Sequence, residues 1–164
     1  MYSKIYWVGC DPDNASSVEK ILELKQRPVE KGLILIASDF SQLEKYLLPV
    51  EEEVRQRVLA TWPGPYTWLW PVKEEVSELV RGKHKTIAVR VSAHPVVKAL
   101  CDAYGKAIIS TSANPADLAP ARTADEVKAY FNDKLDFIIE AEVGSSAQPT
   151  EIRDAISNEL IRPA

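Results

Sequence analysis

The sequence predicts an α/β fold with a mixed or mostly parallel sheet. Three apolar runs, at residues 33–37, 86–91 and 107–109, have the length and composition of buried strands. Segments with helical spacing alternate with them, begun by capping residues and ended by proline or glycine. This alternation is typical of α/β proteins, and it leaves the strand order open. The length of 164 residues fits one domain over residues 1–164.

The first helix is predicted to carry two cations at its end. Asp13 or Asn14 can cap it, and an apolar stripe follows at three- and four-residue spacing. The helix must stop near Pro28, because proline cannot continue it. Lys25 and Arg27 therefore fall in its last turn or just beyond. Cations there complement the negative end of the helix dipole, so a purely structural role stays open beside ligand binding.

The middle of the chain is predicted to supply further helices and an aromatic strand. Residues 62–65, Trp-Pro-Gly-Pro, form a rigid turn because prolines flank a glycine. The strand at 66–72 contains Pro71 and is therefore placed near a sheet edge. Its tryptophans could stack on nucleic acid bases, although aromatic clusters more often belong to a core. The other elements predicted here are a helix capped by Ser38 or Asp39 and stopped by Pro49, a helix at 51–60, and a charged helix or surface excursion at 73–82.

Arg90 interrupts the otherwise apolar run at 86–91. A buried arginine needs an anion or a carboxylate partner, because an unpaired charge is costly away from water. Two explanations stay open at this point. The partner is either a carboxylate of the protein itself or a phosphate or carboxylate of a ligand.

The last third of the chain contains clear helix signals. Pro95 begins a helix and Gly105 follows its end, which delivers the chain into the strand at 107–109. Residues 123–126, Thr-Ala-Asp-Glu, form a capping-box pattern for a helix that ends near Phe131. Short strands are predicted at 5–8, 137–139, 151–156 and 160–162.

A polar stretch follows the strand at 107–109. Ser110, Thr111, Ser112 and Asn114 lie at its C-terminal end, where open α/β sheets place their ligand crevices. Hydroxyl and amide groups both donate and accept hydrogen bonds, so this set suits a ligand rich in oxygens. The alternative is an ordinary polar turn between strand and loop.

Composition limits the possible partners. The net charge is −4, so a nucleotide or nucleic acid would need a local basic patch. Two cysteines and two histidines, far apart in sequence, disfavour a structural zinc site, and no other metal site is predicted. No apolar stretch approaches the roughly 20 residues of a membrane span. With no secretory leader evident, we expect reduced thiols and a cytoplasmic location.

Two short motifs taken together resemble a known family. Residues 25–28, Lys-Gln-Arg-Pro, and residues 112–114, Ser-Ala-Asn, are similar to the Lys-x-Arg and Ser-x-Asn signature of the YrdC-like family, the threonylcarbamoyl-AMP synthases. The match looks closest to the short bacterial TsaC or RimN branch. Each triplet alone is weak, but their order and the strands between them agree from about residue 8 to the C-terminus. Further agreement lies at residues 9–13, 24–28, 31–33, 62–65, 88–91 and 151–155.

The resemblance implies a fold and a reaction. The fold is an α/β domain with a twisted mixed sheet and flanking helices around a concave basic cavity. The reaction joins L-threonine, bicarbonate and ATP into threonylcarbamoyl-adenylate and pyrophosphate, for modification of adenosine 37 in tRNA. Threonine carbamate can itself attack the α-phosphate, so no catalytic nucleophile is assigned. Mg²⁺ is expected to accompany the triphosphate, without a dedicated carboxylate cage.

The same resemblance implies which residues bind the substrates. Lys25 and Arg27 hold the ATP phosphates and stabilise the leaving pyrophosphate by position and charge. Arg90 takes the threonine carboxylate or a phosphate. The remaining site residues, which bind nucleotide or substrate oxygens, are Ser110, Thr111, Ser112, Asn114, Thr150 and Arg162.

The chain departs from the family pattern at two places. Relatives carry a Tyr-Pro-Thr-Glu or Tyr-Pro-Thr-Asp motif that helps to bind threonine, and this chain starts roughly where that motif would end. It is therefore expected to be N-terminally short, either truncated or a degenerate homologue that keeps the nucleotide half of the site. After Asn114, residues 115–117 are Pro-Ala-Asp, where relatives commonly carry Ser-Gly.

Two alternative functions remain open from sequence. One is a double-stranded RNA or tRNA-binding module of the ribosome-maturation type, whose binding would weaken steeply with salt. The other is a non-catalytic homologue that binds nucleotide without turning it over. The leading hypothesis also implies downstream proteins that transfer the threonylcarbamoyl group to tRNA, and no membrane partner.

Overall fold

The computed structural model describes residues 5–140 and 150–163 and has a mixed β-sheet at its centre. Its strands are β1 (Trp7–Val8), β2 (Ile34–Ala37), β3 (Tyr66–Pro71), β4 (Thr86–Val91), β5 (Ile108–Ile109), β6 (Thr111–Ser112), β7 (Glu151–Asp154) and β8 (Leu160–Arg162). Six of them form one sheet in the order β5-β2-β4-β3-β7-β8, and β1 pairs separately with β6. β2 is parallel to β4 and β3 is parallel to β7, whereas the other neighbours are antiparallel. The predicted mixed sheet is therefore confirmed.

The helices begin and end close to the predicted signals. They are α1 (Ala15–Lys25), α2 (Glu52–Leu59), α3 (Glu78–Arg81), α4 (Pro95–Tyr104) and α5 (Ala124–Phe131). Asn14 caps α1 by accepting a hydrogen bond from the Ser17 amide at 3.1 Å. Gly105 ends α4 with a left-handed φ of 74°. None of the helices in the described part of the chain is long and apolar enough to cross a membrane.

The two faces of the central sheet have different neighbours. Leu35, Val89, Trp68 and Trp70 point into the main core, where they pack with apolar residues that include Val18 from α1. Burial of apolar surface of this kind is the main contribution to folding stability. The opposite face carries a smaller cluster of Ile36, Val97 and Cys101, with Trp7 and Ile108 packed against it. This second face is the one that bears the polar residues of the site.

Three predicted elements differ in the structure. β3 lies in the sheet interior, not near an edge, because β7 pairs with it from 85 residues later in the chain. Pro71 is tolerated because the pairing with β7 stops at Leu69. The helix predicted after Ser38 or Asp39 is two short 3₁₀ turns, Phe40–Gln42 and Glu44–Tyr46.

The reasons for the remaining differences are local. The Gln42 side chain accepts hydrogen bonds from the amide and hydroxyl of Ser38, which replaces the backbone bonds that would begin an α-helix. Residues 137–139, predicted as a strand, have no ladder partner in the described ranges. Phe137 is 72% exposed there. An apolar run alone did not distinguish a strand from a surface segment.

Candidate functional site

Lys25 binds the turn that carries the serine and asparagine of the second motif. It is the last residue of α1, because Gln26 adopts a left-handed φ of 48° and ends the helix. The Lys25 ammonium donates to the carbonyls of Ser112 at 2.5 Å and Asn114 at 2.8 Å, and its nitrogen lies 3.5 Å from the Asn114 side-chain oxygen. The two motifs, which are far apart in sequence, therefore meet at one buried cation.

The buried position changes the chemistry of Lys25. Only 6% of the residue is exposed. Burial, together with the positive charge of Arg27, lowers the pKa of Lys25 from 10.5 to about 8. The ammonium is thus mostly charged at neutral pH and loses its proton in the mildly alkaline range, and any anion that binds beside it would favour the charged form.

Arg27 is anchored on the loop that leads into β2. Its Nε and Nη2 atoms donate to the Gly32 carbonyl at 3.0 and 2.9 Å. The side chain is half-buried, and this burial lowers the pKa of Arg27 below its usual value. Because both of these donors share one neutral acceptor, the guanidinium keeps its charge and further donors for a ligand.

Gly32 holds this anchor in a backbone conformation that suits glycine. Its φ is 61° and its ψ is 175°, and an added Cβ would lie 2.9 Å from the Arg81 carbonyl oxygen. We expect Gly32→Ala to lower the free energy of unfolding by about 1–3 kcal/mol. Gly105→Ala is the matched control, since Gly105 also has positive φ but nothing lies within 4 Å of its added Cβ. Equal losses in chemical denaturation of the two variants would contradict this account.

Arg90 lies on the second face of the sheet, beside Ile36 of β2 in the ladder register. It is 7% exposed, and burial lowers its pKa to about 10. Its buried Nε atom has no hydrogen-bond partner among the described residues. The guanidinium carbon lies 4.7 Å from the centre of the Trp7 ring, which gives a cation–π contact.

Thr150 and Arg162 meet on the same face of the sheet, two strands away from β4. The Thr150 hydroxyl lies 3.1 Å from the hydroxyl of Thr67, and Arg162 donates to the Thr150 carbonyl at 2.8 Å. Continuing the β3–β4 register by one residue brings Thr67 beside Arg90. Polar side chains therefore continue from Arg90 of β4 through Thr67 of β3 to Thr150, the residue before β7.

The polar stretch after β5 is divided between two ladders. The Ser110 amide donates to the Ile34 carbonyl at 3.0 Å, whereas Thr111 and Ser112 pair with β1. β5 runs antiparallel to β2 at the sheet edge, so the stretch lies beside the first residue of β2. The stretch therefore does not lie at the C-terminal edge of the parallel strands, where open α/β sheets have their ligand crevices and where it was predicted to lie.

Asn114 closes the loop that departs from the family pattern. Its side-chain nitrogen donates to the carbonyls of Pro115 at 3.0 Å and Leu118 at 2.8 Å. Asp117 takes a φ of 63° there. Asparagine and aspartate tolerate this left-handed region better than most residues, so the loop forms without a glycine.

The predicted cations of the site share one electrostatic property. Lys25, Arg27, Arg90 and Arg162 form no ion pair with any residue of the described ranges. An internal salt bridge, which was one of the two explanations for Arg90, is therefore absent from the described ranges. Elsewhere cations do pair with carboxylates, as in Lys45 with Asp13, Lys98 with Asp102 and Lys128 with Glu140. Buried charges without a counter-charge are costly, and an anionic ligand would offset that cost.

Two groups of site residues are thus in contact. Lys25, Ser112 and Asn114 touch one another, and Thr150 touches Arg162. A separate cavity of about 350 Å³ is lined by other residues, among them Asp13, Tyr46 and Val80. None of the nine predicted site residues lines it.

Comparison with known proteins identifies the family. The family model Sua5/YciO/YrdC, described as telomere recombination, matches residues 4–164. This chain belongs to the Sua5/YciO/YrdC family. A relative from Photobacterium profundum, named threonylcarbamoyl-AMP synthase, is 50% identical over 160 residues. That alignment covers 96% of this chain and 86% of the relative.

Solved structures of the Sua5/YciO/YrdC family share the fold. A double-alanine variant of P. abyssi Sua5 matches with a TM-score of 0.88 at 29% identity, over 97% of this chain and 49% of that longer protein. P. abyssi Sua5 complexed with L-threonine matches with a TM-score of 0.83 at 29% identity, over 92% of this chain and 44% of that one. The chain thus spans about half the length of P. abyssi Sua5, and the expected YrdC-like α/β fold is confirmed.

Two residues that contact the predicted site residues, Thr67 and Trp7, were not predicted from the sequence. Thr67 had the same signal as Arg90, a polar residue within an apolar strand, and it is 1% exposed. Trp7 had no signal beyond its place in a short strand. Its contact with Arg90 depends on a pairing between β1 and β6 that joins segments about 100 residues apart.

Proposed function

We propose that this protein is a threonylcarbamoyl-AMP synthase, which joins L-threonine, bicarbonate and ATP into threonylcarbamoyl-adenylate with release of pyrophosphate. The observation that carries the proposal is the set of site cations that have no carboxylate partner within residues 5–140 and 150–163; Lys25 and Arg90 of this set are buried. Anionic substrates would supply the missing counter-charge. The relative named threonylcarbamoyl-AMP synthase at 50% identity and the threonine-bound P. abyssi Sua5 support the choice of substrates.

The proposed reaction needs no nucleophile from the protein. The threonine amine adds to the carbon of bicarbonate, and loss of water leaves a carbamate. A carbamate oxygen then attacks the α-phosphorus of ATP, the bond to the β-phosphate oxygen breaks, and pyrophosphate leaves with the electron pair. Positioned cations lower the barrier, because negative charge grows on the leaving pyrophosphate.

The ATP half of the site is assigned to the two motifs and one late arginine. Lys25 and Arg27 would hold the phosphates, each charge-assisted bond contributing about 1.5–3 kcal/mol. Ser112 and Asn114 would bind nucleotide oxygens, and Arg162 would contact ATP. The described residues hold no cluster of metal-binding side chains, so Mg²⁺ would be bound by the triphosphate itself.

The threonine half is assigned to the second face of the sheet. Arg90 would bind the threonine carboxylate, since its guanidinium is buried and has no acidic partner in the described residues. Thr150, whose carbonyl accepts a hydrogen bond from Arg162, would belong with that arginine to the nucleotide half. Ser110 and Thr111 would line the junction between the two halves, where β5 continues into β6.

The reactivity of the proposed product indicates which partners would use it. Threonylcarbamoyl-adenylate is a reactive mixed anhydride, so its acyl group would pass to adenosine 37 of tRNA through further proteins of the cytoplasm. Residues 1–164 would act as one domain in this step. Neither tRNA nor a membrane is needed for the adenylate to form.

The proposal is tested by pyrophosphate release in a mixture of ATP, Mg²⁺, bicarbonate and L-threonine. The expected result is release that depends on threonine and on bicarbonate. Release without threonine would indicate simple ATP hydrolysis and would contradict the proposal. No release, with ATP still raising the melting temperature, would instead indicate a nucleotide-binding protein without synthase activity.

The pKa of Lys25 gives a further expectation for ATP binding. Below its pKa of about 8 the ammonium is charged, and above it the amine loses its attraction for phosphate. We expect the Kd for ATP to rise about tenfold between pH 7 and pH 9.5. Calorimetric titrations of the wild type and of Lys20→Met, an exposed lysine of the same helix, should show the same rise. A flat profile in the wild type would contradict the assignment of Lys25 to the phosphates.

A further inference from the structure

Trp7 lies between Arg90 and the strand pair that Lys25 contacts. In the ladder between β1 and β6 it is paired with Ser112, whose carbonyl oxygen accepts the hydrogen bond from Lys25. Its ring lies 4.7 Å from the guanidinium carbon of Arg90. One side chain thus touches the buried arginine while its backbone is part of the strand pair that Lys25 holds.

The ring restrains an arginine that has few other restraints. The Nε atom of Arg90 has no hydrogen-bond partner, and no carboxylate of the described chain pairs with its guanidinium. Burial alone does not fix the plane of a guanidinium that lacks directional partners. Trp7 is itself fixed, since it packs against the cluster of Ile36, Val97 and Cys101.

The type of contact preserves the binding capacity of the arginine. A guanidinium donates hydrogen bonds from its edge, in its own plane, whereas an aromatic ring contacts its face. A carboxylate partner would occupy the edge donors and neutralise the charge. A tryptophan orients the group and leaves both the donors and the charge for a substrate.

We propose that Trp7 is a positioning residue for the amino-acid substrate: it holds the Arg90 guanidinium in the plane that receives the substrate carboxylate. The assignment rests on the proposed function only in naming L-threonine as that substrate. Substitution of Trp7 should therefore weaken binding of the amino acid and leave binding of ATP unchanged.

The test compares variants of Trp7 that keep or remove the ring. Trp7→Phe keeps an aromatic face, and Trp7→Leu replaces it with an apolar chain. Binding of L-threonine and of ATP is measured separately by calorimetry on the full chain. We expect Trp7→Leu to weaken threonine binding about tenfold and Trp7→Phe about threefold or less. Both variants should bind ATP within about twofold of the wild type. Should Trp7→Leu unfold, Trp7→Met, whose flexible unbranched chain adapts to an irregular space, carries the same expectation.

Two results would overturn the inference. One is an equal loss of threonine and ATP affinity in the ring-less variant, which indicates a general structural role. The other is unchanged threonine affinity in Trp7→Leu. A wild type that binds no threonine would likewise overturn it. As a second readout, Trp7→Leu should have no further effect on threonine binding in an Arg90→Met background. Threonine binding without pyrophosphate release would contradict the synthase proposal and leave the role of Trp7 standing.

Discussion

Arg90→Met is expected to abolish most of the threonine-dependent pyrophosphate release while leaving the fold intact. The guanidinium would form two charge-assisted hydrogen bonds with the substrate carboxylate, and their loss should raise the KM for threonine roughly 100-fold. The stability should not fall, because the variant removes a buried charge that has no carboxylate partner in the described chain. The melting temperature without substrates is therefore expected to be unchanged or higher.

Arg55→Met is the control for this experiment. Arg55 lies on α2, is half-buried, pairs with Glu52 at 3.9 Å and lies 5.4 Å from the ring centre of Phe40. Its loss should leave the KM for threonine unchanged, because Arg55 has no part in the proposed site. An Arg90→Met variant with a normal KM for threonine would remove Arg90 from the amino-acid site.

Lys25→Met is expected to damage both ATP binding and the turn after β6. The variant loses the charge proposed to bind phosphate, and it leaves the Ser112 and Asn114 carbonyls without their donor. Each unsatisfied buried acceptor costs about 1–3 kcal/mol, so the melting temperature should fall. The Kd for ATP should rise by about 30-fold or more.

Lys20→Met is the matched control, because Lys20 lies on the same helix and its ion pair with Asp136 at 3.7 Å is exposed. Calorimetric titration with ATP and thermal melting are measured on both variants. If the two bind ATP within about twofold of each other, Lys25 acts only by holding the turn and not through the phosphates.

The parts of the fold that sequence predicted are those with local signals. Asn14, Pro28 and Gly105 mark helix ends by their own side chains or backbone preferences, and the structure has those ends. The run at 86–91 is long enough and apolar enough to be recognised as a strand without its neighbours. Each of these signals lies within a single turn or strand, so it can be recognised without knowing how the rest of the chain folds.

The errors arise where distant segments decide the outcome. β3 was placed at an edge because of Pro71, yet its neighbour β7 comes 85 residues later. The same limit applies to the site. Lys25 reaches Ser112 across 87 residues of sequence, so only resemblance to a family could join the two motifs. The contact between Trp7 and Arg90 had no such signal, since neither residue type nor spacing specifies the pairing of β1 with β6.

The most direct test of the synthase proposal is detection of its product. The full chain is incubated with ATP, Mg²⁺, L-threonine and ¹³C-labelled bicarbonate, and the nucleotides are analysed by mass spectrometry. The account predicts a threonylcarbamoyl-adenylate whose carbamoyl carbon carries the label, and its loss when threonine is omitted. ATP that is consumed without any labelled adenylate would contradict it.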